Sequence, residues 1–129
     1  MKKIQIISIK KLKPHEKTNR INLKKIKFQL RKEGRLINPI IVDRDNLIIL
    51  DGHHRVRALA ELGYKKIAAY LVDYSSERIK VLPRRPGIKI SKEIIIKKAQ
   101  AGKVFPHKTS KHLIPDRPKN INTPLYSLK

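Results

Sequence analysis

The sequence predicts a mixed α/β domain, and three observations support this fold class. Short runs of β-branched and apolar residues alternate with segments whose apolar residues recur at helical spacing. Glycine or a capping residue stands where these segments are expected to begin or end. The chain has 129 residues, 40% of them hydrophobic, which is enough for one domain with a modest core. We therefore expect a small mixed sheet with flanking helices, followed by a C-terminal helix and an irregular tail.

The order of elements follows from these signals. We predict a strand at 3–9, a helix capped by Asn22 that ends near Glu33, strands at 39–42 and 47–50, a helix at 53–62, a strand at 67–72, and a helix at 92–101 capped by Ser91. The apolar faces of the first two helices are formed by Leu23, Ile26, Leu30 and by Val56, Leu59, Ala60. Each helix is followed by a glycine, at Gly34, Gly63 and Gly102.

The last third of the chain has a different character. Residues 83–87 form a basic connector rich in proline and glycine, and four further prolines lie beyond Gly102. Little periodicity remains there, so an irregular tail is expected. We divide the chain into a core at 1–82 and a C-terminal helix and tail at 83–129, both within a single structural unit.

Charge and composition restrict the possible functions. The chain has 32 Lys and Arg against 10 Asp and Glu, a formal charge of +22, which attracts polyanions such as nucleotides or nucleic acid. The absence of cysteine excludes disulfides and a cysteine nucleophile. Abundant lysine and isoleucine with few thermolabile residues are typical of a thermophile. No segment is long and apolar enough for a membrane span, so a cytoplasmic protein is expected.

The strongest local motif is Asp51-Gly52-His53-His54-Arg55, between a predicted strand and a predicted helix. Free N–H groups and the positive end of the helix dipole favour a phosphate at such a junction. Gly52 allows close approach of a ligand, and Asp51 could cap the helix or hold a divalent cation. An ordinary capped helix is the alternative. Zinc is disfavoured because adjacent histidines on a helix point about 100° apart; Mg²⁺ bound partly by nucleotide oxygens is preferred.

Two further segments carry reactive side chains. Glu16 follows Lys13-Pro14-His15 in the loop after the first strand, and a loop glutamate near a phosphate site could act as a general base. The second segment, Lys108-Thr109-Ser110-Lys111-His112, combines hydroxyls with cations that suit a carboxylate. A solvated loop and a solvated basic tail are the alternatives.

The order of these motifs over residues 5–74 resembles the ParB/sulfiredoxin superfamily. Within it, the chain is most similar to the archaeal free L-serine kinases, which phosphorylate the hydroxyl of free serine. Three motifs carry the resemblance: Lys13-Pro14-His15-Glu16, Asp51 to Arg55, and Lys108 to His112 followed by Leu113-Ile114-Pro115. The chain departs from the family in having only about thirty residues between the sheet and the last motif, and in having Ser110 and Lys111 where the family has Thr and Arg.

The resemblance implies a kinase that transfers a phosphoryl group from ADP or ATP to free L-serine, giving O-phospho-L-serine. Glu16, Asp51 and His54 would be catalytic, with Asp51 also binding Mg²⁺. Gly52, His53, His54 and Arg55 would bind the nucleotide. Lys108, Thr109, Ser110, Lys111 and His112 would bind serine, and residues 106–115 would fold back over the core to close the serine site.

Other functions remain as alternatives. A ParB-like nucleic-acid-binding protein fits the charge, although no helix-turn-helix follows the core and nucleic acid is not favoured as a partner. A nucleotide-binding regulator without kinase activity would lack a use for Glu16 and the C-terminal motif. A sulfiredoxin-type reductase is excluded because it needs a cysteine.

Overall fold

The computed structural model describes residues 4–129, and within them three α-helices flank short strands. The elements are β1 (Ile4–Ser8), α1 (Arg20–Glu33), β2 (Arg35–Leu36), β3 (Ile40–Asp43), β4 (Ile49–Asp51), α2 (His53–Glu61), β5 (Lys66–Val72), β6 (Lys80–Pro83), α3 (Lys92–Gln100), β7 (Ser110–Leu113) and β8 (Thr123–Pro124). Short 3₁₀ helices cover Ile9–Lys11 and Leu125–Leu128. The mixed α/β prediction is confirmed. Lys3, the first residue of the predicted first strand, lies outside the described residues.

The main sheet has the strand order β1-β5-β3-β4 and is covered on both faces. β3 runs parallel to β5, and the other two pairs are antiparallel. Because successive side chains of a strand point to opposite faces, Ile40 and Val42 enter one core and Ile41 enters the other. The first core contains the inner faces of α1 and α2, and the second contains Ile95 of α3.

The ends of α1 correct one sequence prediction. Asn19, and not Asn22, caps the helix, because the side-chain oxygen of Asn19 accepts a hydrogen bond of 2.8 Å from the Asn22 N–H. The predicted stop is confirmed, since Gly34 adopts the left-handed conformation that ends α1. Ser91 caps α3 as predicted, through a bond of 3.2 Å from the Ile94 N–H.

The inner face of α2 also differs from the prediction at one position. Val56 and Leu59 are buried as expected, but Ala60 is exposed and Ala58 is buried instead. Because α2 packs against both α1 and β5, Ala58 enters the first core.

The tail is more regular than predicted. β7 pairs antiparallel with β6, β8 pairs with β2, and the terminal 3₁₀ helix places Leu125 and Leu128 in the first core. Prediction missed these strands because each is short and half exposed, and each is stabilised only by a partner far away in sequence. The pairing of β6 with β7 brings residues 108–112 next to the main sheet.

Among residues 4–129, no helix combines the length and the apolar character that crossing a membrane requires.

Candidate active site

Three chain segments meet in a cleft of about 260 Å³ beside the main sheet. They are the loop after β1, the junction between β4 and α2, and the start of β7. The cleft is lined by the side chains of Glu16, Asp51, His54, Arg55, Arg84, Lys108, Ser110, Lys111, His112 and Arg117, among others. The cleft therefore joins the three motifs that the sequence singled out.

Backbone hydrogen bonds fix the loop that carries Glu16. The N–H of Lys13 donates to the carbonyl of Leu47 at 2.9 Å, and the N–H of Ile49 donates to the carbonyl of Lys13 at 2.9 Å. On the other side of Glu16, the N–H of Lys17 donates to the carbonyl of Phe105 at 2.8 Å. The loop is thus held between β4 and the segment after α3, which places Glu16 at a defined position in the cleft.

The Glu16 carboxylate accepts three hydrogen bonds from the tail. The Lys108 N–H donates to Oε1 at 3.1 Å, while the Ser110 N–H and the Ser110 hydroxyl donate to Oε2 at 3.0 Å and 2.5 Å. Lys108 has a positive φ of 53°, a conformation that a lysine rarely adopts. Residues 108–110 therefore fold back over the core, and they orient the carboxylate.

Gly52 determines how closely α2 approaches the sheet. A Cβ atom at this position would lie 2.4 Å from Cγ2 of Ile40, and the φ of Gly52 is +110°. Within the described residues, no side chain caps the N-terminus of α2, in contrast to Asn19 in α1 and Ser91 in α3. The first turn of α2 therefore presents backbone donors and a positive dipole end suited to an anion.

Asp51 is paired with two arginines. Its Oδ2 lies 3.6 Å from the Arg55 guanidinium and accepts a hydrogen bond from Arg117. Burial acts to raise the pKa of Asp51, but Arg55 and Arg117 together hold that pKa below its ordinary value. Arg55 also donates to the backbone carbonyls of Asn38 and Pro39. Asp51 is thus ionised, and it anchors both cations at the rim of the cleft.

The two adjacent histidines point to different surroundings. Nε2 of His54 accepts a hydrogen bond of 2.9 Å from the N–H of Asn19, at the start of α1. Nε2 of His53 accepts one of 3.1 Å from the N–H of His15, on the buried side of α2. Both histidines line the cleft, but their Nε2 atoms are bonded to different segments, because consecutive helical residues diverge by about 100°. Nucleotide binding by both imidazoles stays a prediction.

His15, His53 and His112 form a buried histidine cluster beside the cleft, and His53 and His112 also line the cleft. The ring centroid of His15 lies 4.6 Å from that of His53 and 5.9 Å from that of His112, and Nε2 of His112 lies 2.8 Å from the Tyr74 hydroxyl. Burial lowers the pKa of all three rings, to about 3 for His112. The cluster is therefore neutral at pH 7, and each of its members belongs to a different segment of the cleft.

The predicted serine-binding segment divides into two groups. Lys108, Ser110, Lys111 and His112 line the cleft. Thr109 is fully buried, and its hydroxyl donates to the carbonyl of Pro106 at 2.5 Å, away from the cleft. The side chain of Thr109 therefore supports the turn before β7.

Sequence reasoning missed Arg84 and Arg117, although both line the cleft. Arg117 bonds to Asp51 across 66 residues of sequence. No local motif distinguishes either arginine from the many other basic residues of the chain, so only the folded path of the tail identifies them.

The cleft offers few protein ligands for a magnesium ion. Among residues 4–129, no group of three or more Asp, Glu or His side chains is arranged to hold a metal. Asp51 offers one carboxylate, and both of its arginine contacts fall on Oδ2. Mg²⁺ commonly binds proteins through one or two carboxylates plus substrate phosphates, so the donor set suits an ion that arrives with a nucleotide.

Comparison with curated proteins found archaeal relatives. An ATP-dependent L-serine kinase from Staphylothermus marinus is 40% identical over 87 residues, covering 64% of this chain and 34% of that protein. A ParB-like protein from Sulfolobus acidocaldarius is 37% identical over 60% of this chain and 39% of its own length. An ADP-dependent L-serine kinase from Thermococcus kodakarensis is 31% identical over 64% and 36%. The aligned part thus spans about a third of the length of these relatives.

Solved structures share the fold at lower sequence identity. A free serine kinase in complex with AMP superposes with a TM-score of 0.88 at 18% identity, covering 98% of this chain and 93% of that chain. The family model for the ParB N-terminal domain matches residues 1–82, which contain β1 to β5, Glu16 and the whole β4–α2 junction. The resemblance drawn from the sequence motifs is therefore confirmed, and the chain belongs to the ParB N-terminal domain family.

Proposed function

We propose that this protein is a kinase that transfers a phosphoryl group from ATP or ADP to the hydroxyl of free L-serine, giving O-phospho-L-serine. The observation that carries the proposal is the convergence of three features in one cleft: the Glu16 carboxylate, the uncapped N-terminus of α2, and a group of cationic side chains. The names of the relatives from Staphylothermus marinus and Thermococcus kodakarensis support the same reaction.

The donor phosphates would bind at the first turn of α2. Backbone N–H groups of residues 52–55 and the helix dipole would favour them there, and Arg84 and Arg117, which line the same cleft, would supply positive charge. Phosphoryl transfer depends mainly on positioning and charge neutralisation, which is what this arrangement offers. Nε2 of His54 accepts a hydrogen bond, so its neutral ring carries the proton on Nδ1, a donor suited to a phosphate oxygen.

Glu16 would act as the general base that takes the proton of the serine hydroxyl. Its carboxylate is already oriented by two backbone N–H groups of the tail, so it loses little freedom when the acceptor binds. Free serine is a small zwitterion that must be recognised by a few convergent polar groups. Lys108 and Lys111, which line the cleft, would bind its carboxylate.

Mg²⁺ would arrive with the nucleotide, with Asp51 as its protein ligand, and would neutralise charge on the donor phosphates. Asp51 also holds Arg55 and Arg117, so Asp51→Asn would affect both the metal and the arginines. A titration of nucleotide affinity with and without Mg²⁺ separates the two effects. If Asp51 contacts the ion, Asp51→Asn weakens nucleotide binding more in the presence of Mg²⁺ than in its absence. An equal loss under both conditions would assign the effect to the arginines.

The division of labour between the two parts of the chain follows from this proposal. Residues 1–82 would hold the nucleotide, and residues 83–129 would complete the acceptor site as part of the same structural unit. The contacts of Lys108 and Ser110 with Glu16 support this division, since they join the two parts at the proposed base.

The direct test incubates the protein with Mg²⁺, free L-serine and either ATP or ADP, and detects O-phosphoserine by mass spectrometry. We expect Glu16→Gln to lower turnover by roughly 10²-fold or more, as loss of a general base typically does. Glu77→Gln is the matched control, because Glu77 is an exposed carboxylate that does not line the cleft. Wild-type turnover in Glu16→Gln would show that Glu16 is not the base.

A nucleic-acid-binding function is the second candidate, and the outer face of α1 favours it. Phe28 is 68% exposed there, and the exposed basic side chains of Lys24, Lys25, Arg31 and Lys32 lie one turn before or after it. An aromatic ring among cations can stack on an unpaired base. Titration of a single-stranded oligonucleotide at several salt concentrations tests this function. Binding that weakens steeply with salt, but is equal in the wild type and Phe28→Ala, would reflect general charge alone.

A further inference from the structure

Ser110 and Glu16 have the geometry of a nucleophile and its base. The Ser110 hydroxyl donates to Oε2 of Glu16 at 2.5 Å. The same carboxylate is oriented by the backbone N–H groups of Lys108 and Ser110, so a third group holds the base in place. A hydroxyl bonded to a base that is itself oriented by another donor is the pattern of an activated nucleophile.

The surroundings of this pair favour phosphate chemistry. Arg84, Lys108 and Lys111 line the same cleft as Ser110, together with the first turn of α2. These groups can neutralise the charge of a transferring phosphoryl group and that of the resulting phosphoserine. In this structure, the hydroxyl bonded to the proposed base Glu16 is that of Ser110, a residue of the protein itself.

A hydrogen bond between a serine hydroxyl and a carboxylate does not by itself make such a site, as Ser75 shows. The Ser75 hydroxyl also donates to a carboxylate, that of Asp73, at 2.6 Å. That pair lies on an exposed turn, and neither residue lines the cleft. Thr109, next to Ser110 in sequence, donates to a backbone carbonyl instead. Ser110 thus combines a carboxylate partner with a position in the anion-binding cleft.

We propose that Ser110 is a site of self-phosphorylation, modified within the same chain by the bound nucleotide. The inference rests on the proposed nucleotide-binding function of the cleft. A bond forms between the Ser110 hydroxyl oxygen and the terminal phosphorus of ATP or ADP. The bond from that phosphorus to the bridging oxygen breaks, and the leaving nucleotide keeps the electron pair. The hydroxyl proton moves to the Glu16 carboxylate.

Free serine and Ser110 compete for Glu16 under this proposal. The acceptor hydroxyl of free serine must take the position beside Oε2 that the Ser110 hydroxyl holds. Addition of L-serine should therefore slow modification of Ser110. Addition of D-serine or L-alanine at the same concentration tests whether the effect needs a correctly placed hydroxyl.

The experiment incubates the full chain with Mg²⁺ and ATP or ADP, without serine, and locates phosphate by peptide mass spectrometry. We expect one phosphoryl group per chain on Ser110, accumulating at a rate that does not depend on protein concentration. Glu16→Gln should lower that rate by roughly 10²-fold. Ser110→Ala should abolish the modification, whereas Ser75→Ala, the matched control, should leave it unchanged.

Each result decides the inference. Phosphate on Thr109 or Ser75 in place of Ser110, a rate that rises with protein concentration, or an unmodified chain would overturn it. The same samples, given free L-serine, test the proposed kinase separately. Phosphoserine product with an unmodified Ser110 would refute the inference and leave the kinase intact. Modified Ser110 without free phosphoserine would refute the proposed serine kinase and leave the inference intact.

Discussion

Replacement of His112 by Phe should make the protein less sensitive to acid. His112 belongs to the buried histidine cluster, and burial lowers its pKa from 6.5 to about 3. Phe retains an aromatic ring of similar size but cannot take up a proton. The variant therefore removes one titrating group from the core while keeping most of its packing.

The expected magnitude follows from the two pKa values. Between pH 6.5 and about 3 the unfolded chain binds a proton at this imidazole and the folded chain does not, so the free energy of unfolding falls as the pH falls. One pKa unit corresponds to about 1.4 kcal/mol, and integration from pH 6 to pH 4 gives a loss of about 2–3 kcal/mol for this one group. Above pH 6.5 the contribution is fully present.

The assay is denaturant unfolding of the wild type and His112→Phe at several pH values from 7 to 4. The wild type should lose about 2–3 kcal/mol more than the variant between pH 6 and pH 4. Tyr74→Phe is the matched control, because it removes the same hydrogen bond at 2.8 Å but leaves the imidazole in place. Parallel pH profiles for the wild type and His112→Phe would refute the reasoning. So would a Tyr74→Phe profile as flat as that of His112→Phe.

Two further substitutions test the fold around the cleft. Gly52→Ala should destabilise the protein by about 1–3 kcal/mol beyond the cost of its backbone conformation, because the new methyl would lie 2.4 Å from Ile40. Gly63→Ala has a similar φ and open space around it, so the difference between the two unfolding curves isolates the clash; equal losses would contradict it. Leu128→Ala should cost about 2–5 kcal/mol, since Leu128 is fully buried in the first core. Tyr126→Ala, at a residue 75% exposed, should cost far less, and equal melting temperatures for both would show that the C-terminus is not part of the core.

The position of Leu128 also determines how the tail can be studied. Truncation after Gly102 would remove Ser110 and the rest of β7, but it would also remove Leu125 and Leu128 from the first core. Loss of activity in such a truncation would therefore report loss of folding as much as loss of the site. Single substitutions in the cleft separate the two effects.

Local signals predicted most of the helices and the main sheet. Gly34 and Ser91 act as the predicted stop and cap because a helix end is settled within one turn of the chain. The wrong prediction at Asn22 also concerns a single helical turn. Asn19 and Asn22 both lie near the start of α1, and the sequence pattern alone does not show which of them caps the helix. The wrong prediction that Ala60 is buried has another cause. Which side of α2 is buried depends on the elements that pack against it.

The amino-acid sequence by itself identified the candidate site segments: Glu16, the junction from Asp51 to Arg55, and the segment from Lys108 to His112. The tertiary structure alone decided which of them meet and what each one contacts. Glu16 binds Ser110 across 94 residues, and Asp51 binds Arg117 across 66. It also bonded His53 to the backbone of His15 and turned the Thr109 hydroxyl away from the cleft. The physical reason is that periodicity and capping depend on neighbours within a few residues, whereas these contacts depend on the path of the whole chain.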